Sequence, residues 1–150
     1  MNYASPDLTQ HPPRSPRVRL GGYAILPRCL DKCRATLAGK NGEYHYDCPT
    51  DRRFLEFAGI DAEALKAEVK KGLSDAEILT WINENARNQR SECEIAQWSD
   101  FVERRTPADN ESREYFSKMV TGAKAAHRED VQSWFEALDL DDYATFGGKA

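Results

Sequence analysis

Residues 74–101, SDAEILTWINENARNQRSECEIAQWSDF, decide the fold class of this chain. Its Ser-x-x-Glu tetrads at 74–77 and 91–94 are typical of capping boxes, in which a serine and a glutamate satisfy free backbone groups at the start of a helix. Apolar residues follow at the spacings of one helix face. They are Ile78, Leu79, Trp81, Ile82 and Ala86 after the first tetrad, and Ile95, Trp98, Phe101 and Val102 after the second. The stretch therefore predicts two helices joined by a short link.

Similar signals extend toward the start of the chain. An apolar stripe over 25–37 predicts a helix with Pro27 in its first turn and Gly39 at its C-terminal end. Thr50 is predicted to cap a second helix that ends at Gly59, and Asp61 to start a third. Between the first two helices, residues 42–48 alternate tyrosine with polar residues, which predicts a short extended or hairpin-like connection.

Two more helices are predicted after residue 105. The segment TPADNES (106–112) is predicted to start one, and Asp130 to cap a last short helix carrying Val131, Trp134, Phe135 and Leu138. Strand signals are too few for a sheet. The sequence therefore predicts an all-α fold, a compact bundle of about six or seven short helices.

Composition divides the chain into three parts. Four prolines predict an extended arm over 1–19, residues 20–142 form a single helical domain, and 143–150 form a loose tail. No apolar run approaches the roughly 20 residues of a membrane span, and the start lacks the apolar core of a secretory signal. We therefore expect a cytoplasmic protein with no membrane contact, whose four cysteines are reduced.

A basic segment suggests a binding site. Residues 14–53 hold nine basic and four acidic side chains, a net charge of +5, whereas the rest of the chain carries −9. Such asymmetry is typical of an anionic ligand or of a contact between the two parts. We predict a site for a small anionic ligand, with a protein partner as the alternative. Its predicted residues are Arg28, Tyr44, His45, Tyr46 and Arg52.

That site depends on a hairpin of the first two helices. Such a hairpin brings Arg28 and Arg52 to one end, flanking the tyrosines. In the alternative, Asp47 and Asp51 neutralise both arginines and nothing binds.

The segment GEYHYDCPTDRRF (42–54) also allows a small enzyme. His45 has the chemistry of a general base and Cys48 that of a nucleophile, with Tyr44 or Tyr46 nearby. Against this, His45 and Cys48 are only three residues apart and face opposite sides of an extended segment. Pro49 also favours a structural turn.

Three other kinds of function are disfavoured. Cys29 and Cys33 share one helix face, but they lie on its apolar stripe and lack the repeated spacing of a zinc site. We therefore predict no metal, and no motif indicates a cofactor. Residues 72–101 are compatible with a helix-turn-helix, but the second helix is rich in glutamate and aspartate, so we predict no binding to nucleic acid.

One family resemblance is specific. The pieces SPR, LGGY, the LPR…DK.RA.LAG pattern, GEYHY.CP.D..FL.F.GID and SDAEILTWI resemble a bacterial family catalogued as domain of unknown function 5069. The similarity is strong over residues 7–82 and weaker beyond. It implies a cytoplasmic, mostly helical protein and brings no activity, substrate or catalytic residue.

Overall fold

The computed structural model of the chain describes residues 5–150, and seven helices account for its regular structure over that range. They are α1 (Leu26–Leu37), α2 (Pro49–Ala58), α3 (Ala62–Val69), α4 (Asp75–Asn85), α5 (Glu92–Arg104), α6 (Asn110–Gly122) and α7 (Trp134–Thr145). Beside them, the described residues contain one isolated bridge, between Leu20 and Tyr23, and no strand. The predicted all-α fold is confirmed.

Local capping starts several helices where the sequence predicts. Ser74 accepts from the Glu77 backbone N–H while the Glu77 carboxylate accepts from the Ser74 N–H, and Ser91 and Glu94 do the same for α5. Asp61 accepts from the Ala64 N–H at the start of α3. Each box satisfies two backbone donors that the helix leaves free.

Two predicted caps are wrong. Cys48, not Thr50, is the N-cap of α2, because Pro49 occupies the first helical position, where its missing N–H is no loss. Ser133, not Asp130, caps α7, because Ser133 forms a capping box with Glu136 while Asp130 pairs with Arg128.

Two boundaries also differ from the sequence-based description. Helix α7 runs on to Thr145, into the segment 143–150 that was expected to be loose. Residues 42–48, expected to be extended or hairpin-like, form two turns without strand pairing. Gly42 has a φ of +54°, and a Cβ there would lie 2.9 Å from the backbone oxygen of Leu8, so the first turn requires glycine.

The core is built around α1. Ten consecutive residues of this helix, Leu26 to Ala35, are buried. Its apolar side packs against Phe54 and Leu55 of α2, Leu65 of α3 and the buried isoleucines of α4. A smaller cluster joins α6 and α7 through Val120, Ala137 and Leu140. Within residues 5–150, no helix is long and apolar enough to cross a membrane.

The described part of the N-terminal arm, residues 5–19, is packed onto the helices. Leu8 is buried, and its backbone N–H donates to the oxygen of Lys40. Arg14 binds Asp31 of α1 through two nitrogens and Asp75 of α4 through a third. Arg34 of α1 also donates to Asp75, at 2.7 Å. The arm therefore ties α1 to α4; residues 1–4 of the predicted arm lie outside the described residues.

This network predicts acid sensitivity. Partial burial alone raises the pKa of Asp75, but hydrogen bonds from Arg14 and Arg34 outweigh it and the pKa lies below its usual 3.8. A carboxyl whose pKa is depressed on folding stabilises the protein above its unfolded pKa, and this contribution is lost as the pH falls through the folded pKa. We expect the Asp75→Asn variant to show a shallower loss of unfolding free energy below pH 3.8 than the wild type, measured by urea titration. Parallel pH curves would contradict this assignment.

Candidate functional site

A cleft of about 720 Å³ lies between the arm, α1, the 42–48 connection and α7. Its volume is in the range of small-molecule sites. The arm contributes Leu8 and Thr9, α1 contributes Arg28 and Lys32, and α6 contributes Tyr115. The remaining lining residues are Gly42, Glu43, Tyr44, His45, Cys48, Thr50, Leu138, Asp141, Asp142, Thr145 and Phe146.

One wall of the cleft is a buried ion pair. Arg28 is 4% exposed, and its Nη1 and Nη2 donate to the two carboxylate oxygens of Asp142 at 2.7 and 3.2 Å. Burial alone lowers the pKa of Arg28, but the Asp142 carboxylate outweighs it, and the net pKa is raised. Arg28 therefore stays charged inside the protein.

Tyr44 completes this wall. Its hydroxyl donates to Asp142 Oδ1 at 2.8 Å, and the Arg28 guanidinium lies 5.6 Å from its ring centroid. Burial, together with the hydrogen bond to Asp142, raises the pKa of Tyr44. The phenol is consequently a fixed, neutral donor rather than an acid-base group near neutral pH.

A second buried ion pair lies one turn along α1. Lys32 is 3% exposed, and its Nζ lies 2.8 Å from Asp51 Oδ1 and donates to Cys48 Sγ at 3.0 Å. Burial lowers the pKa of Lys32, but Asp51 and Cys48 outweigh this effect and raise it overall. The other Asp51 oxygen accepts from the Asp47 N–H, so this carboxylate also orders the turn before α2.

The five residues predicted to form the site separate into two groups. Arg28, Tyr44 and His45 line the same cleft, and His45 is exposed. Tyr46 instead packs against the main core and donates its hydroxyl to the Ala62 oxygen at 2.7 Å. Arg52 is exposed and pairs with Asp47 at 3.1 Å, as in the local neutralisation alternative.

Sequence reasoning missed two functional candidates, Lys32 and Asp142, and gave a third, Asp51, the wrong partner. Lys32 lies four residues after Arg28 on the same helix, so its spacing was a usable signal. Asp51 pairs with Lys32 rather than with an arginine. Asp142 is 114 residues from Arg28, and a pairing over that distance leaves no local pattern.

Metal binding has no support from the geometry. Among the described residues, no three or more histidine, cysteine, aspartate or glutamate side chains are grouped so that they could hold a metal ion. Arginine, lysine and tyrosine, together with carboxylates already engaged by cations, are suited instead to an organic ligand with several polar groups.

Comparison with protein families agrees with the resemblance in the sequence. The family model described as Domain of unknown function (DUF5069) matches residues 10–144. The chain belongs to this family. The DUF5069 match covers the arm from residue 10, all but the last residue of α7, and every residue that lines the cleft except Leu8, Thr9, Thr145 and Phe146. No curated protein matches the chain.

Proposed function

We propose that this DUF5069 protein binds a small anionic ligand in the cleft beside α1. The observation that carries the proposal is the presence of two buried cations, Arg28 and Lys32, in the wall of one open cleft. A buried ion pair gives little net stability, because desolvating the two charges offsets their attraction. Two such pairs at one cleft therefore favour a role in binding over a purely structural role.

The charges of the wall define the ligand further. Asp142 and Asp51 already balance Arg28 and Lys32, and Glu43 and Asp141 also line the cleft. A ligand that carries only an anionic group would therefore gain little binding free energy in the cleft. A carboxylate or phosphate ester that also carries hydroxyl or amino donors matches both kinds of group. The N-terminus of α2, with Cys48 and Thr50 facing the cleft, favours placing the anionic end there.

A thermal-shift screen of small hydroxy acids, amino acids and sugar phosphates tests this proposal. A ligand at 100 times its Kd stabilises a protein by about 2.7 kcal/mol. For a chain of this size, that raises Tm by about 5–10 °C. We expect at least one compound to produce such a shift, and binding to weaken in His45→Ala, because His45 lines the cleft.

Arg52→Ala is the matched control. Arg52 is also an exposed basic residue of the same segment, but it pairs with Asp47 outside the cleft lining. We expect this variant to bind like the wild type. A screen in which no compound stabilises the protein would refute the proposal. If Arg52→Ala weakened binding as much as His45→Ala, the ligand would instead bind at the originally predicted site, between Arg28 and Arg52.

We also propose that the protein works in the bacterial cytoplasm. All four cysteines are free, and the reducing cytosol keeps thiols in that form. A protein partner and a small enzyme using His45 with Tyr44, Tyr46 or Cys48 remain predictions. The cleft supports the enzyme in part, because His45 and Cys48 both line it, whereas Tyr44 is a fixed donor to Asp142 and Tyr46 packs in the core.

A further inference from the structure

Cys48 has a chemical environment that differs from that of the other three cysteines. Its sulfur accepts a hydrogen bond from the Lys32 ammonium at 3.0 Å, and the residue is the N-cap of α2. It is partly exposed and lines the cleft, so a small molecule can reach it. A neighbouring ammonium and the start of a helix both stabilise negative charge on sulfur.

We propose that Cys48 is a nucleophilic thiol that small hydroperoxides oxidise to a sulfenic acid. The thiolate attacks the terminal peroxide oxygen, the S–O bond forms and the O–O bond breaks. The departing alkoxide or hydroxide takes up the proton released by the thiol, which gives an alcohol or water. Sulfur loses two electrons and the peroxide gains them. This reaction goes beyond the proposed binding function and requires no other ligand.

Lys32 is the positioning residue of this site. Its ammonium lies between the Cys48 sulfur and the Asp51 carboxylate, which are its two partners. Because Asp51 partly neutralises the Lys32 charge, the ammonium does not act on Cys48 as an isolated cation. The Cys48 sulfur is activated by the directed N–H···S hydrogen bond instead. The ion pair in turn holds the ammonium beside Cys48, because Asp51 is fully buried on α2 and its Oδ1 lies 2.8 Å from the Lys32 Nζ.

The chain contains its own controls. Cys29 and Cys33 are buried, and burial raises the pKa of both, so neither supplies thiolate. Cys93 is exposed near the start of α5, but its sulfur accepts a hydrogen bond from the neutral amide of Gln97. If exposure governed oxidation, Cys93 would react first. If the lysine contact governs it, Cys48 reacts first.

Limited hydrogen peroxide with dimedone, a trap for sulfenic acids, distinguishes the two cases in the full chain. Trypsin places Cys48 in peptide 41–52 and Cys93 in peptide 91–104, so mass spectrometry follows each separately. We expect Cys48 to be labelled at least about fivefold faster than Cys93 in the folded protein. In 8 M urea the two rates should converge. Equal rates in the folded protein, or a faster Cys93, would overturn the proposal.

A variant assigns the effect to Lys32. Lys32→Met alone leaves Asp51 buried without its cation and endangers folding, so it is combined with Asp51→Asn, which removes the carboxylate charge but keeps a side-chain oxygen to accept from the Asp47 N–H. Circular dichroism checks the fold. We expect the double variant to label Cys48 no faster than Cys93. If the variant still labels Cys48 about fivefold faster than Cys93, Lys32 does not cause the preference. If the variant does not fold, the comparison of Cys48 with Cys93 in the wild-type protein remains the test of the proposal.

Discussion

Replacing Asp142 with alanine is expected to lower the free energy of unfolding by about 3–5 kcal/mol, the usual effect of removing one partner of a buried ion pair. Asp142 accepts three hydrogen bonds: two from Arg28 and one from the hydroxyl of Tyr44. Its loss leaves the 4% exposed Arg28 charged in the interior and Tyr44 without its acceptor. Urea unfolding monitored by circular dichroism measures the change.

Asp141→Ala is the matched control for Asp142→Ala. Asp141 is the adjacent residue of α7 and also lines the cleft, but burial and the neighbouring Asp142 raise its pKa, so its charge opposes folding. Its removal should change stability by less than about 1 kcal/mol. Arg28→Met combined with Asp142→Leu should recover much of the lost stability. Equal effects of Asp141→Ala and Asp142→Ala would show that the ion pair contributes nothing specific.

Phe54→Ala is expected to have a similar effect for an entirely different reason. Phe54 is among the largest fully buried side chains, and its ring packs edge-on against Tyr23 with centroids 5.2 Å apart. Truncation removes the ring's transfer free energy and leaves a cavity at the contact of α1 and α2. Such changes lower the free energy of unfolding by about 3–5 kcal/mol.

Phe101→Ala provides the comparison for Phe54→Ala. Phe101 is 62% exposed on α5, so its truncation creates no cavity and should change the unfolding free energy by less than about 0.5 kcal/mol. The two variants remove the same atoms, and the difference between them isolates the contribution of burial. A small effect of Phe54→Ala would mean that the space between α1 and α2 collapses around the alanine.

The fold was predictable because its signals are local. A capping box spans four residues, so Ser74 and Ser91 locate the starts of α4 and α5 without knowledge of the tertiary structure. The two wrong caps were avoidable on the same grounds. Pro49 marks the first position of α2, and Glu136 stands three residues after Ser133.

The candidate site was only half predictable, because its partners are chosen by packing. The sequence analysis placed Arg28, Tyr44 and His45 in the site, and these three residues line the cleft, but distance along the chain does not decide which cation each carboxylate pairs with. In the structure, Asp47 pairs with Arg52, Asp51 with Lys32 and Asp142 with Arg28. Burial selects among carboxylates that look alike in a sequence, and burial is a property of the assembled helices.

The pairing of Arg28 with Asp142 also has a consequence for synthesis. The two residues are 114 positions apart. At translation rates of about 5–20 residues per second, Asp142 is added roughly 6–23 seconds after Arg28. Throughout that interval the nascent chain carries a guanidinium whose place in the interior has no counter-charge. The Arg28 end of helix α1 therefore lacks its final surroundings during elongation, and we expect this end of the fold to become compact late, when α7 has been made.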